Sequence, residues 1–449
     1  MKNQLIILLF TSVLLIFSLE FNSVVAGNSA ASPSRNNHSF TKMFEEVWTT
    51  YDENYPYFIH KNISWDSLRA VFLPEFETCQ SDSSFIRLLI DLLGHLRDFH
   101  VGLRLADGST IGSKFDYPRP IRYNMDWECL INKMPNIKKM EPLFYGITIE
   151  NIGYITIPSW SIQTVEPFNL ILEKLRHTRG LIIDVRMNAG GSELAAQQVA
   201  SRFASHTANY AYHQFRNGSK HNNFSEIDAR TISPSSDWRY LKPVVILTGV
   251  ITMSSCESFV MMMKQFEHIT TVGESTRGCS GNPIEVELPN GVKYTVPQWI
   301  AYRADKKILE GRGINPDYQV VFTDSHRLAG EEPLIDKAIW IINSSVEIQQ
   351  LSGNMYPDEF ELAQNYPNPF NSSTIIKYSL KERTRVTLNI SNVMGQVVFI
   401  AVDEVQDPGT YSVTWYGQDM YGRSVTSGVY FYRILMNEFT DVKKMILLH

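Results

Sequence analysis

Two segments of this 449-residue chain set chemistry-bearing residues at the ends of apolar runs. In the first, Gly180-Leu181-Ile182-Ile183-Asp184-Val185-Arg186 runs into Met187-Asn188-Ala189-Gly190-Gly191. In the second, Val244-Val245-Ile246-Leu247-Thr248 leads to Thr252-Met253-Ser254-Ser255-Cys256-Glu257. Each reads as a buried strand that ends in a tight turn and opens a helix. The first turn offers glycine N–H groups and the second a serine at a helix start. Acyl transfer needs that pairing, an oxyanion hole beside a nucleophile. A blander reading competes with it: Ser254-x-x-Glu257 also spells a capping box, in which the serine only closes the helix. Ser255 is the rival nucleophile. The Met261-Met262-Met263 run reads as core and Cys256 as helix packing.

The surrounding elements are α/β in pattern. Residues 40–105 read as helical, and Phe85 to Leu96 repeats apolar residues at i, i+3, i+4 and i+7. That region ends at Arg97-Asp98-Phe99-His100, where Asp98 reads as a hydrogen-bonding group at a helix end. Residues 106–150 show no period and read as an irregular connector. From 151 to 343, strands at Gly153–Pro158, Leu181–Arg186, Val244–Thr248 and Thr270–Gly273 alternate with helices near 166–177, 192–205 and 254–266. Such alternation favours a largely parallel sheet covered on both faces. Its active site lies beyond the carboxyl ends of the strands, where Gly190, Gly191 and Ser254 fall. A hairpin follows, Ile284–Leu288 and Val292–Val296, joined through Pro289-Asn290-Gly291.

The termini differ in texture. Lys2, the apolar stretch Leu5–Phe17 and Val24-Val25-Ala26 read as a signal peptide over 1–26. No other stretch is long and apolar enough to span a membrane. Residues 344–363 read as a linker, and 364–449 as short alternating strands of a β-sandwich. The chain is 44% hydrophobic and 20% charged, as globular proteins are, and its net charge of −6 gives no electrostatic case for nucleic acid. Cys79, Cys129, Cys256 and Cys279 are too few for a disulfide framework and wrongly spaced for zinc; mostly buried thiols are expected, with room for one bridge. No metal, nucleotide or other cofactor is implied, since Walker and Rossmann glycine patterns are absent.

The ordered motifs of residues 184–317 carry a resemblance. Asp184, Arg186, Asn188, Gly190 and Gly191 match D-x-R-x-N-x-G-G. Thr252, Ser254 and Glu257 match T-x-S-x-x-E, and Val272, Gly273, Glu274, Thr276 and Gly278 match V-G-E-x-T-x-G. Leu288-Pro289-Asn290-Gly291 and Glu310-x-x-Gly313-Ile314-x-Pro316-Asp317 complete the series. Together they resemble the tail-specific (C-terminal processing) serine peptidases, whose core is a ClpP/crotonase-like sheet with crossing helices. Where the best-known members carry a catalytic lysine this chain has Gly278-Cys279-Ser280-Gly281, with Cys279 at the lysine position. No PDZ-like segment is evident either. Both departures point to the tricorn-like branch.

In that branch the base is a histidine in a D-x-H element, matched by Asp98-Phe99-His100. A glutamate matched by Glu310 completes the set. The resemblance therefore implies Ser254 as nucleophile and His100 as its base. Glu310 would orient the imidazolium directly or through a polar bridge. The oxyanion hole would come from the N–H of Gly190 or Gly191 plus that of Ser255. Against these stand readings of His100 as a structural histidine and Glu310 as a surface carboxylate, with His95 as base or Cys279 as replacement nucleophile or base.

The tail, through Gln364–Asn371, Gly395–Val398, Ser427–Arg433 and Lys443-Lys444-Met445, resembles the C-terminal sorting domains of type IX secretion, immunoglobulin-like in fold. It implies export to the cell surface or beyond, with the secretion machinery as partner of residues 364–449; an adhesive or carbohydrate-binding sandwich is the other reading. The expectation is a secreted serine endopeptidase acting on peptides or unfolded protein. Its rivals are a non-catalytic binding protein for peptides or hydrophobic small molecules and an esterase with the same triad. A hydrogen bond between His100 and Ser254 separates catalysis from binding.

Overall fold

The computed structural model describes residues 39–115, 124–134, 136–344, 349–350, 357–371, 373–419 and 424–448; the signal peptide expected over 1–26 lies outside them. Its centre is a seven-stranded sheet, in the order Tyr318–Gln319, Ile269–Gly273, Val244–Thr248, Leu181–Asp184, Gly153–Thr156, Leu143–Ile147, Lys138–Met140. The first five strands run parallel and the last two antiparallel. Alternate residues of the central strands face opposite sides, as the two-residue period of a strand requires. Ile183, Val244 and Ile246 pack under the helices Ile162–Lys174, Glu193–Ser201 and Ser255–Met263. Ile182, Val245 and Leu247 pack against the other face with Leu130, Leu334 and Ile339 of the helices Trp127–Lys133 and Pro333–Ser344. Both faces are thus covered, as the continuous apolar runs predict.

Register aligns the functional turns. Asp184 pairs with Leu247, and Thr248 with Gly273, so these strands end level. The turns after them meet on one edge of the sheet.

The N-terminal helices Phe40–Asn54, Phe58–Lys61, Trp65–Glu77 and Asp82–Gly94 do not lie on this sheet. The last is capped by Ser81, whose hydroxyl accepts from Ser84 N, and it buries Phe85, Leu88, Leu89, Leu92 and Leu93 at helical spacing. These helices share a core with Leu103, Tyr294 and Val296 of a four-stranded sheet and with Leu288 and Val292 of its hairpin connection. That sheet joins the expected hairpin, Ile284–Glu287 and Lys293–Val296, to Gly102–Arg104 and Thr110–Gly112. The chain segment carrying His100 is therefore fastened to the hairpin that follows the peptidase-like motifs.

The helical region ends earlier than 105: Gly94 closes the last helix, and residues 95–101 form turns. The 106–150 segment is not an irregular connector. It supplies Thr110–Gly112, the helix Trp127–Lys133 and the two antiparallel edge strands of the main sheet. Strands of three to five residues are too short to display a period. The 344–363 segment is not only a linker either. Gln349–Gln350 and Glu361–Leu362 pair with the tail strands Gly409–Trp415 and Thr374–Leu380. With those additions the tail is two four-stranded antiparallel sheets around one core, to which Ile376 and Val413 contribute from one sheet and Leu388 and Tyr432 from the other.

Candidate active site

Ser254 stands at the N-terminus of the Ser255–Met263 helix with φ 57° and ψ −130°. A non-glycine residue there carries strain of order 1–3 kcal/mol and persists only if its surroundings hold it. They do. Its N–H donates to Cys279 O at 3.1 Å, and its carbonyl accepts from Glu257 N and Ser258 N at 2.8 and 3.2 Å. Its hydroxyl makes no capping hydrogen bond. The serine half of a capping box is thus missing, while the glutamate, which also accepts from the Ser254 N–H, does more than cap. Glu257 is fully buried and accepts from Gly278 N at 2.7 Å, Cys279 N at 2.8 Å and the Thr276 hydroxyl. Burial pushes its carboxyl up to about 7. The rival Ser255 hydroxyl is buried without a hydrogen-bond partner among the described residues.

The glycine loop is assembled by the other residues of its motif. Arg186 is fully buried, pairs with Asp184 at 2.7 Å and Glu332 at 2.8 Å, and Tyr154 donates to the same aspartate at 2.8 Å. Asn188 Nδ2 donates to Ile157 O at 3.1 Å, and its Oδ1 accepts from Gly190 N at 2.8 Å. Gly190 is thus corrected as an oxyanion donor, because its N–H is already engaged. It contributes room instead: at φ 110°, a Cβ would lie 2.8 Å from Ser254 Cβ. Gly191 bridges in parallel to Trp160 through the flanking bonds Trp160 N to Gly190 O and Ser192 N to Trp160 O. That pattern turns the Gly191 N–H away from Trp160, and it finds no partner among the described residues. The Ser255 N–H, first in its helix, is likewise uncommitted among them, as helix-initial N–H groups are.

His100 approaches from the N-terminal region. Nε2 lies 3.1 Å from Ser254 Oγ. Nδ1 lies 3.0 Å from the carbonyl oxygen of Ser280 and 3.3 Å from Cys279 Sγ. A carbonyl oxygen can only accept, so the neutral ring carries its proton on Nδ1 and leaves Nε2 free to take one. Burial holds the imidazole below its ordinary pKa, partly offset by Asp98. Asp98 itself is buried, its Oδ1 accepting from His100 N at 2.9 Å. The Thr295 hydroxyl donates to His100 O at 2.6 Å, tying this turn to the hairpin.

Glu310 does not touch the imidazole. Its Oε2 accepts from Ser280 N at 3.1 Å, and Ser280 O receives His100 Nδ1, so the contact runs through the backbone of one residue. Its Oε1 pairs with Lys61 at 2.7 Å. Burial beside Asp98 raises the Glu310 carboxyl, with Lys61 pulling the other way. The surface-carboxylate reading is excluded, since its side chain is 5% exposed.

Ser254, His100, Glu310, Gly191 and Ser255 therefore meet at one place, and His95 does not: it is exposed, edge-on to Phe72. The Cys279 thiol is buried and driven up by that burial and by Glu310 and Asp98, which leaves it un-ionised and a poor nucleophile. All four cysteines are free. Sequence reasoning missed Ser280 and Lys61. Ser280 stood in the quoted Gly278–Gly281 stretch, where only a lysine was sought; Lys61 follows the aromatic run Tyr55–Phe58 and belongs to no motif.

A hydroxyl, a correctly protonated imidazole and free N–H donors at the carboxyl edge of a parallel sheet make up the apparatus of an acyl-transferring serine hydrolase. Residues 151–320 match Peptidase family S41, residues 37–94 the Tricorn protease C1 domain, and residues 364–448 the Secretion system C-terminal sorting domain. The chain is 25% identical over 193 residues to the carboxy-terminal processing protease CtpA of Bacillus subtilis, covering 42% of this chain and 39% of that protein. It is 25% identical over 192 residues to the Tricorn protease of Thermoplasma acidophilum, covering 42% of this chain and 16% of that one. It thus spans less than half the length of these curated relatives. A putative peptidase from Parabacteroides merdae superposes with TM-score 0.61 at 29% identity, over 68% of this chain and 97% of that one. Mature CPAF shares the fold at TM-score 0.52 and 13% identity, over 66% of this chain and 94% of that one. The chain carries a serine-peptidase domain of family S41, with a tricorn-type segment before it and a secretion sorting domain after it.

Proposed function

We propose that the protein is an exported serine endopeptidase in which Ser254 is the nucleophile and His100 its base. The observation that carries this is the 3.1 Å approach of His100 Nε2 to a Ser254 hydroxyl that caps nothing. His100 takes the hydroxyl proton as Oγ bonds to the scissile carbonyl carbon. The resulting oxyanion is held by the N–H groups of Gly191 and Ser255, with the dipole of the Ser255–Met263 helix behind them. The imidazolium then protonates the leaving amine as the C–N bond breaks. Water, activated by the same ring, releases the acyl group. Ser280 O and, through the N–H of the same residue, Glu310 hold the ring and stabilise its charge. Peptides or unfolded segments are the substrates we assign. The tail, read as an immunoglobulin-like sandwich, addresses the chain to the type IX machinery and hence to the cell surface or the medium.

The test is labelling of the protein with a fluorophosphonate and mapping the adduct. Adduct on Ser254, absent in Ser254→Ala and slowed by about two orders of magnitude or more in His100→Ala, is expected. A folded protein with no adduct would overturn the catalytic reading and leave a binding protein on the same scaffold. Ester and peptide substrates run side by side separate an esterase from a peptidase.

A further inference from the structure

Behind His100 lies a charged cluster that the acyl-transfer chemistry above leaves unused. Lys61 ends the short helix Phe58–Lys61, and its Nζ has four acceptors: Glu310 Oε1 at 2.7 Å, Asp98 Oδ2 at 3.0 Å, Tyr55 OH at 3.0 Å and Arg97 O at 3.1 Å. An ammonium has three protons, so its donors are saturated. The Lys61 side chain is 13% exposed and its carboxylate partners 0% and 5%. Tyr55 donates its own proton to Asp98 Oδ2 at 2.9 Å.

The two carboxylates grip His100 from opposite ends. Asp98 accepts the His100 backbone N–H at 2.9 Å. Glu310 accepts the Ser280 N–H at 3.1 Å, and the Ser280 carbonyl receives the ring at 3.0 Å. Lys61 is the atom group common to both paths.

We propose that Lys61 is a positioning residue for His100: its ammonium joins Asp98 to Glu310, so that both ends of the histidine are held in place through catalysis. The inference rests on the Ser254–His100 reading above. Without Lys61, the Glu310 carboxyl beside Asp98 is raised further and the imidazole loses a neighbour that lowers it, so the groups that must be deprotonated hold their protons to higher pH. The other titratable groups facing the cluster do not replace it. Tyr55 and Tyr57 have phenols driven well above their ordinary range by burial, Cys279 is held as a thiol, and Arg97 sends its guanidinium to the Lys61 carbonyl instead. Lys61 makes no contact with Ser254 or the oxyanion loop, so it should not act on substrate binding directly.

The experiment follows fluorophosphonate acylation of Ser254 against pH in full-length wild type, Lys61→Met, Lys61→Arg, Glu310→Gln and Lys61→Met/Glu310→Gln, with peptide kcat and KM measured alongside. Lys61→Met is expected to acylate about 100-fold more slowly at pH 7 with KM nearly unchanged. Its acid limb should move to higher pH, so the deficit shrinks on the alkaline side. Lys61→Arg should restore the wild-type limb. In the Glu310→Gln background, Lys61→Met should add little, because both act along one path. Should Lys61→Met alone fail to fold, the double variant, with one buried carboxyl group fewer, carries the same comparison. A deficit constant across pH, or a full additional loss on top of Glu310→Gln, would overturn the proposal. Absence of acylation in wild type would instead overturn the catalytic reading on which it rests.

Discussion

Ser254 is set apart from Ser255 by backbone conformation more than by neighbours in sequence. A φ of 57° turns its hydroxyl out of the helix-capping position and toward His100, while the next serine is carried into the helix and buried. Gly190 makes that rotation possible, since any side chain there would press on Ser254. Gly190→Ala is therefore expected to slow Ser254 acylation by about 100-fold or more and to destabilise the fold. Gly108 separates strain from collision: it too has positive φ, at 84°, but a Cβ there meets nothing within 4 Å. Gly108→Ala should lower the melting temperature slightly and leave acylation unchanged; an equal loss in both variants would remove the collision argument.

At the scale of elements, the motifs are fastenings between turns. Glu257, in the first turn of the Ser255–Met263 helix, gathers Thr276, Gly278 and Cys279, so the loop bearing Ser280 is positioned from the nucleophile helix. Its carboxyl rises from 4.5 unfolded to about 7 folded. The folded state thus binds more protons in that window, and stability contributed by this group is complete below pH 4.5 and lost as pH rises through 7. A shift of this size amounts to roughly 3 kcal/mol. Glu310 and Glu332 are also raised and add in the same direction, so the comparison with Glu257→Gln isolates the one group. The melting temperature of wild type should fall more steeply between pH 5 and pH 7 than that of Glu257→Gln, which keeps an acceptor for the loop N–H groups. Parallel curves would contradict the assignment.

For the whole molecule, the site joins two cores. Ser254 and the glycine loop stand on the seven-stranded sheet, whereas His100 and Lys61 stand on the N-terminal helices and the hairpin. Tyr294 is a seat between hairpin and helices, fully buried, stacked on Tyr51 with ring centroids 5.9 Å apart and donating to Thr50 at 2.9 Å. Tyr294→Ala should cost about 3 kcal/mol and slow acylation by letting the base drift, while the main sheet stays intact. Tyr294→Phe loses only the hydrogen bond, about 1 kcal/mol, and should keep most activity. Urea unfolding and acylation rates measured together check this; unchanged acylation in a destabilised Tyr294→Ala would show that the two cores do not share the positioning.

What the chain determines locally was legible from its residues. The apolar runs at Leu181 and Val244 specify buried strands because every second residue must serve a different face. The glycine and serine turns specify where chemistry can stand. The alternating tail likewise specifies its sheets. Short edge strands such as Lys138–Met140 and Gln349–Gln350 were not legible, because two or three residues carry no period and are recruited by the edge they pair with. Only the tertiary structure decided that Glu310 meets His100 through the backbone of Ser280, that the Gly190 N–H is occupied while that of Gly191 has no partner among the described residues, and that Lys61 lies against both Asp98 and Glu310. Those facts depend on where polar atoms lie across contacts between residues up to 249 positions apart. Hydrogen bonding of that kind is set by three-dimensional geometry, which residue type and spacing do not encode.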